Sequence, residues 1–143
     1  MELLDGKVVK LEILRELKEK LSNLEEKLSL VVIQVGNIEA SNIYVRQKKN
    51  MAENIGLDFK HLKFDENISE SELIDIIDKL NKDKDVTGIM IQLPLPKHLN
   101  TKKIQNEVLA SKDVDGLTDY NAGLLVHNNP DALRGGLGRL YRD

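Results

Sequence analysis

The chain has 143 residues, 41% of them hydrophobic and 31% charged, with a formal net charge of −3 and no cysteine. That length suits one domain with a core of its own, the acidic balance argues against a dedicated nucleic-acid surface, and the missing cysteines exclude disulfides, thiol nucleophiles and thiolate metal sites. No run approaches the roughly 18 apolar residues of a membrane span, and "MELLDGKVVK" lacks the basic-then-apolar layout of a signal peptide, so a cytoplasmic protein without membrane contact is expected.

Val8, Leu11, Leu14, Leu17, Leu21 and Leu24 recur by threes and fours, which predicts an amphipathic helix over 8–24 starting near Asp5 and Gly6. "LSLVVIQVG" (28–36) is a continuous apolar run closed by glycine, the pattern of a strand buried on both faces. A second helix is expected over 40–55, with Gly56 placed as its C-terminal cap, then a weaker strand over 57–64. Ser69 and Glu72 form a capping-box pattern ahead of Leu73, Ile74, Ile76, Ile77 and Leu80, which predicts a helix to about residue 82. "VTGIMIQL" (86–93) reads as another buried strand, ended by Pro94 and Pro96, which cannot donate to a ladder. A short helix near 101–110, capped by Asn100 or Thr101, precedes the loop "SKDVDGLTDYNAG". This alternation predicts an α/β layered domain whose mainly parallel sheet carries helices on both faces. The strand C-terminal ends then share one edge, where such sheets bind ligands.

Three features converge on that edge. In "ASNIYVRQKK" (40–49), Ser41, Tyr44 and Lys48 fall within about 60° of one another on the helix, so Lys48 is aimed along the apolar stripe. Either its stem lies on the core while the ammonium snorkels outward, or it sits in a pocket where desolvation makes a neutral amine available as a proton carrier. For Tyr44 the alternatives are core packing with a bonded hydroxyl or a functional contact. Gln92, a lone amide in "GIMIQLPLP", must find partners, either loop backbone or Lys48. In "KDVDG" (112–116) the two aspartates suit turn chemistry or a carboxylate that accepts paired N–H donors from a heterocycle. A calcium loop would need further oxygen ligands and a closing glutamate, which are missing. His61, His98 and His127 show no metal-ligand spacing, no metal is expected, and no phosphate-binding or dinucleotide glycine motif occurs.

Taken together, "VGNIEASNIYVRQKK", "IMIQLPLPKHL" and "KDVDGLTDYNAGLL" resemble the bifunctional methylenetetrahydrofolate dehydrogenase/methenyltetrahydrofolate cyclohydrolase family, over residues 2–133 and in the family's order. The resemblance implies a tetrahydrofolate-binding catalytic domain over 1–133, the substrate half of a one-carbon enzyme. It implies Lys48 as the central catalytic group and Gln92 as the residue that holds and tunes it. Tyr44 would pack against the folate, with Ser41, Leu93 and Pro94 also at the substrate, and Asp115 would pair with the pterin's amide-like edge. NADP in this family is bound by a Rossmann domain. Here "RGGLGRLYRD" (134–143), with three of the five arginines and three of the nine glycines, stands where the lead into that domain is expected, and reads as an atypical tail. Ile38-Glu39 also departs from the family's usual pair before "AS". No cofactor site, no dehydrogenase activity and possible self-association through an uncovered face are therefore expected of this chain. A non-catalytic folate-binding or regulatory module is the alternative.

Overall fold

The computed structural model describes residues 6–127. The expected tail at 134–143 and Asp5 lie outside the described residues. The elements are α1 (Gly6–Ser22), β1 (Ser29–Val35), α2 (Glu39–Ile55), β2 (Asp58–Phe64), α3 (Glu70–Lys82), β3 (Gly88–Ile91), α4 (Thr101–Asn106) and α5 (Asp119–Val126). The three strands form a parallel sheet in the order β2-β1-β3. All seven residues of the central strand are buried, as its unbroken apolar run implies.

Alternation along β1 divides the core into two layers. Val31, Ile33 and Val35 face Leu73 and Ile77 of α3 and Ile104 of α4. Leu30 and Val32 face Val45 and Ala52 of α2, with Leu17 and Leu21 of α1 at the margin. Helices thus cover both faces, and each fully buried aliphatic side chain contributes on the order of 1.5–3 kcal/mol over its exposed state. β2 is an edge strand whose Lys60 and Lys63 are exposed, which discourages edge-to-edge pairing.

The local signals that ended the elements act as expected. Gly56 takes a left-handed φ of 85° behind α2. Ser69 and Glu72 close a capping box at α3, each side chain meeting the other's backbone N–H. Asn100, rather than Thr101, caps α4.

Three expectations need correction. β3 is shorter than 86–93, because the chain leaves the ladder after Ile91, although the Gln92 N–H still reaches the Ile33 carbonyl at 2.8 Å. The loop after residue 110 contains α5, capped by the Thr118 hydroxyl on the Asn121 N–H. The α1 stripe meets too little surface to bury it: Leu14, Leu17 and Leu21 are half-buried, whereas Val8, Leu11 and Leu24 stay exposed.

The "KDVDG" segment lies alongside β3, joined by the Ile89 N–H to the Lys112 carbonyl at 2.7 Å and by a parallel bridge between Ile89 and Asp113. Gly88 permits this approach. A Cβ there would stand 2.5 Å from Val114 Cγ1 and 3.4 Å from Leu30 Cδ1, and a β-branched valine has little freedom to turn aside. Gly88→Ala is therefore expected to cost about 1–3 kcal/mol and to push the 112–116 segment away from the sheet. A lower denaturation midpoint together with weaker folate binding checks this, and an unchanged midpoint would refute it.

Candidate active site

On the face of the sheet that carries α2, apolar side chains give way to polar ones at the strand ends. In β1, Leu30 and Val32 are followed by Gln34, and in β3, Met90 is followed by Gln92 just past the strand. α2 crosses this row, and its Lys48 Nζ donates to Gln92 Oε1 at 3.0 Å. The same amide donates through Nε2 to the Leu93 carbonyl at 2.8 Å. Both readings of Gln92 therefore hold: it takes a loop carbonyl and the lysine at once, and it is 8% exposed. Ser41, buried one turn into α2, directs its hydroxyl at the same Leu93 carbonyl at 3.5 Å, the long end of such a bond.

Lys48 is half-buried. Its stem follows the helix face while its head is tied to an amide, an arrangement between free snorkelling and an unpartnered buried ammonium. Tyr44 departs from the core-packing alternative: it is 58% exposed, standing one turn before Lys48 on the open side of the helix. Leu93 is 37% exposed, and the peptide bond between it and Pro94, itself exposed, is cis.

The two aspartates of "KDVDG" have separate tasks. Asp113 is buried, and its carboxylate accepts the N–H groups of Gly116 (2.9 Å), Leu117 (3.3 Å) and Thr118 (2.9 Å) and the Asn121 amide (3.0 Å). Burial alone would push this carboxyl up, but the donors from Thr118, Asn121 and Leu117 outweigh it and hold the group below the usual carboxylate range. Gly116, at φ 68°, lets the chain wrap around that carboxylate.

Asp115 has no such partners and keeps an accessible surface, although its carboxyl is partly buried. That desolvation raises it above the usual range, the Lys48 ammonium partly offsets the rise, and the Asp113 charge adds to it. The Lys48 charge is thus felt at Asp115. Turn chemistry explains the first aspartate, and the second remains available to a ligand.

The linkage for Asp113 has a definite sign. Its folded value is depressed, so its stabilising contribution is complete above the unfolded value of about 3.9 and is lost as pH falls through the lower folded value. Denaturation midpoints that fall below about pH 4, with a shallower fall in Asp113→Asn, are expected. An unchanged pH slope in the variant would refute this assignment.

A concavity of about 930 Å³ lies at the opposite edge, by the strand N-terminal ends, and is lined by Lys27, Glu53, Lys60 and Lys84 among others. It brings together none of the candidate site residues Ser41, Tyr44, Lys48, Gln92, Leu93, Pro94 and Asp115. Among the described residues no group of three His, Asp or Glu side chains is arranged to hold a metal ion, and no helix is long and apolar enough to cross a membrane. The sequence reading missed Gln34, a buried amide in an apolar run that carries the same signal as Gln92. It also missed Asn121, which donates to Asp113 and to the Ala110 carbonyl.

Known proteins share this fold. Residues 4–115 match the family described as tetrahydrofolate dehydrogenase/cyclohydrolase, catalytic domain. The bifunctional protein FolD of Ligilactobacillus salivarius is 42% identical over 134 residues, spanning 92% of this chain and 47% of that protein. A crystal structure of the bifunctional FolD methylenetetrahydrofolate dehydrogenase/cyclohydrolase from Campylobacter jejuni superposes with a TM-score of 0.90 at 37% identity, covering 98% of this chain and 52% of that one. The Trypanosoma brucei FolD, solved with NADP and an inhibitor, gives a TM-score of 0.82 at 29% identity over 87% of this chain and 43% of that one. The chain therefore spans about half the length of the relatives it matches. With the family's model covering most of its length, this chain belongs to the tetrahydrofolate dehydrogenase/cyclohydrolase family.

Proposed function

We propose that this chain binds a reduced folate at the strand-end edge and supplies the proton-handling half of methylenetetrahydrofolate dehydrogenase/cyclohydrolase chemistry, in the cytoplasm. The observation that carries the proposal is the Lys48 ammonium held on Gln92 at 3.0 Å, its charge felt at Asp115, beside the exposed Tyr44 ring. A methenyl bridge between two nitrogens is a cationic electrophile, so water attack needs a proton acceptor and ring opening a proton donor. One lysine can serve as both in turn. Asp115 offers a carboxylate with free lone pairs to the paired N–H donors of a pterin. Tyr44 offers a flat apolar face to the ring system, and Ser41, Leu93 and Pro94 form the floor between them. Residues 1–133 are the folate domain in this reading.

NADP supplies a hydride acceptor to the whole enzyme when bound. The described residues do not fit a dinucleotide cradle. The turn after β1 carries the single glycine Gly36, and β3 runs into Pro94 and Pro96, where a pyrophosphate needs a glycine-rich turn opening a helix. No step is assigned to the cofactor in this chain, and the uncovered apolar side chains of α1 and α5 favour self-association.

The test is to give the purified chain methenyltetrahydrofolate, and separately methylenetetrahydrofolate with NADP. Hydrolysis faster than in buffer and no NADPH are expected. Folate binding without any acceleration would leave a non-catalytic folate-binding module, and NADPH formation would overturn the division of labour.

A further inference from the structure

We propose that Gln34 is a positioning residue for Lys48, acting through the first turns of α2; this rests on the reading of Lys48 as the proton-handling group. Gln34 is 1% exposed on the central strand, where every neighbour in the run from Leu30 to Val35 is apolar. A buried amide persists there only with its hydrogen bonds made, and Gln34 makes them at both ends. His61 of β2 meets its Oε1 at 2.9 Å through Nε2, and its Nε2 donates to Asn42 Oδ1 at 2.8 Å and, at 3.4 Å, to the Gly36 carbonyl. With the oxygen turned toward His61, the imidazole Nε2 must carry the proton.

The link matters because α2 has no side-chain cap. Its N-cap residue is Ile38, which cannot accept the free N–H groups of the first turn. The start of the helix is held by other means. Asn42 is fixed by Gln34, and it donates to Asn37 at 2.9 Å and accepts from Lys63 at 3.1 Å. Ser41, one residue earlier, faces the Leu93 carbonyl that also takes Gln92. Two glutamines, one on β1 and one just past the end of β3, therefore grip one helix. Gln92 takes Lys48, and Gln34 takes Asn42 about two turns before it. The grip on Asn42 fixes where the lysine stem starts, and the grip on Lys48 fixes where it ends.

Gln34→Leu and, from the helix side, Asn42→Ala test this. In protein labelled with carbon-13 at lysine Cε, both variants are expected to move the Lys48 resonance while leaving that of the distant Lys102 in place. In methenyltetrahydrofolate hydrolysis kcat should fall roughly 10–100-fold, with KM near the wild-type value. The double variant should be no worse than Gln34→Leu alone, because one link is cut twice. Variants that melt earlier but keep the Lys48 resonance and the wild-type kcat would show a merely structural amide and overturn the proposal. Should Gln34→Leu not fold, Asn42→Ala decides alone, since Asn42 is only half-buried. A Lys48 resonance that moves in a chain whose wild type hydrolyses nothing would uphold the positioning and reject the catalytic reading.

Discussion

Lys48→Met is expected to slow methenyltetrahydrofolate hydrolysis by roughly 10²–10⁴-fold, the contribution of a positioned general acid–base group. Methionine keeps most of the stem that lies on the helix face and removes the head that meets Gln92 at 3.0 Å. The fold should tolerate this, because Lys48 is only half-buried and Gln92 keeps its second bond to the Leu93 carbonyl. Folate affinity should change far less than rate, because the proposed reading gives the orienting contacts to Asp115 and Tyr44.

Lys48→Arg separates two explanations that methionine alone leaves together. Arginine restores a positive charge beside Asp115 but stays protonated at any working pH. If the lysine acts by giving up and returning a proton, arginine should be about as slow as methionine. An arginine variant close to wild type would show that only a fixed charge is needed, and would sink the proton-handling role.

Much of this site was legible in the sequence, because the signals that carry it are local. The wheel position of Lys48 and the loneliness of Gln92 in an apolar strand both point to one polar edge. Capping rules fixed Gly56, Ser69 and Asn100 within a residue of where the helices end or begin. What the sequence left open depends on the partner a side chain finds across the fold. Tyr44 shares a helical face with Lys48, yet nothing in the spacing says that the sheet stops short of it. The pair Asp113 and Asp115 looks symmetrical until the chain turns, after which one carboxylate collects the donors of residues 116–121 and the other collects none.

The α5 helix was hidden for a related reason. Asp, Gly and Asn dominate its approach, Gly123 weakens its interior, and its start depends on the Thr118 hydroxyl and on an Asn106 side chain brought from α4. Gln34 carries in the sequence the same signal that singles out Gln92. A polar residue in the middle of a strand-like run asks the same question wherever it stands, and here both answers lie on α2.

Asp115→Asn should weaken folate binding by roughly 10–100-fold, since a hydrogen bond to a charged group contributes about 1.5–3 kcal/mol. The amide keeps one acceptor but turns an N–H₂ group toward donors that a carboxylate could receive together. Titration adds a second signature. Desolvation raises the Asp115 carboxyl above the usual range, with Lys48 opposing and Asp113 reinforcing. Ligand affinity is therefore full where Asp115 is ionised and falls as pH drops through that raised value, which lies above that of an ordinary surface carboxylate. Calorimetric dissociation constants between about pH 7.5 and 4.5 should weaken on acidification in the wild type and stay flatter in Asp115→Asn. Reading Kd rather than rate keeps the proton chemistry of Lys48 out of the comparison. An asparagine variant that binds folate as tightly as the wild type, with the same pH dependence, would remove Asp115 from the site. The pterin would then have to find its acceptor among the carbonyls at the end of β3.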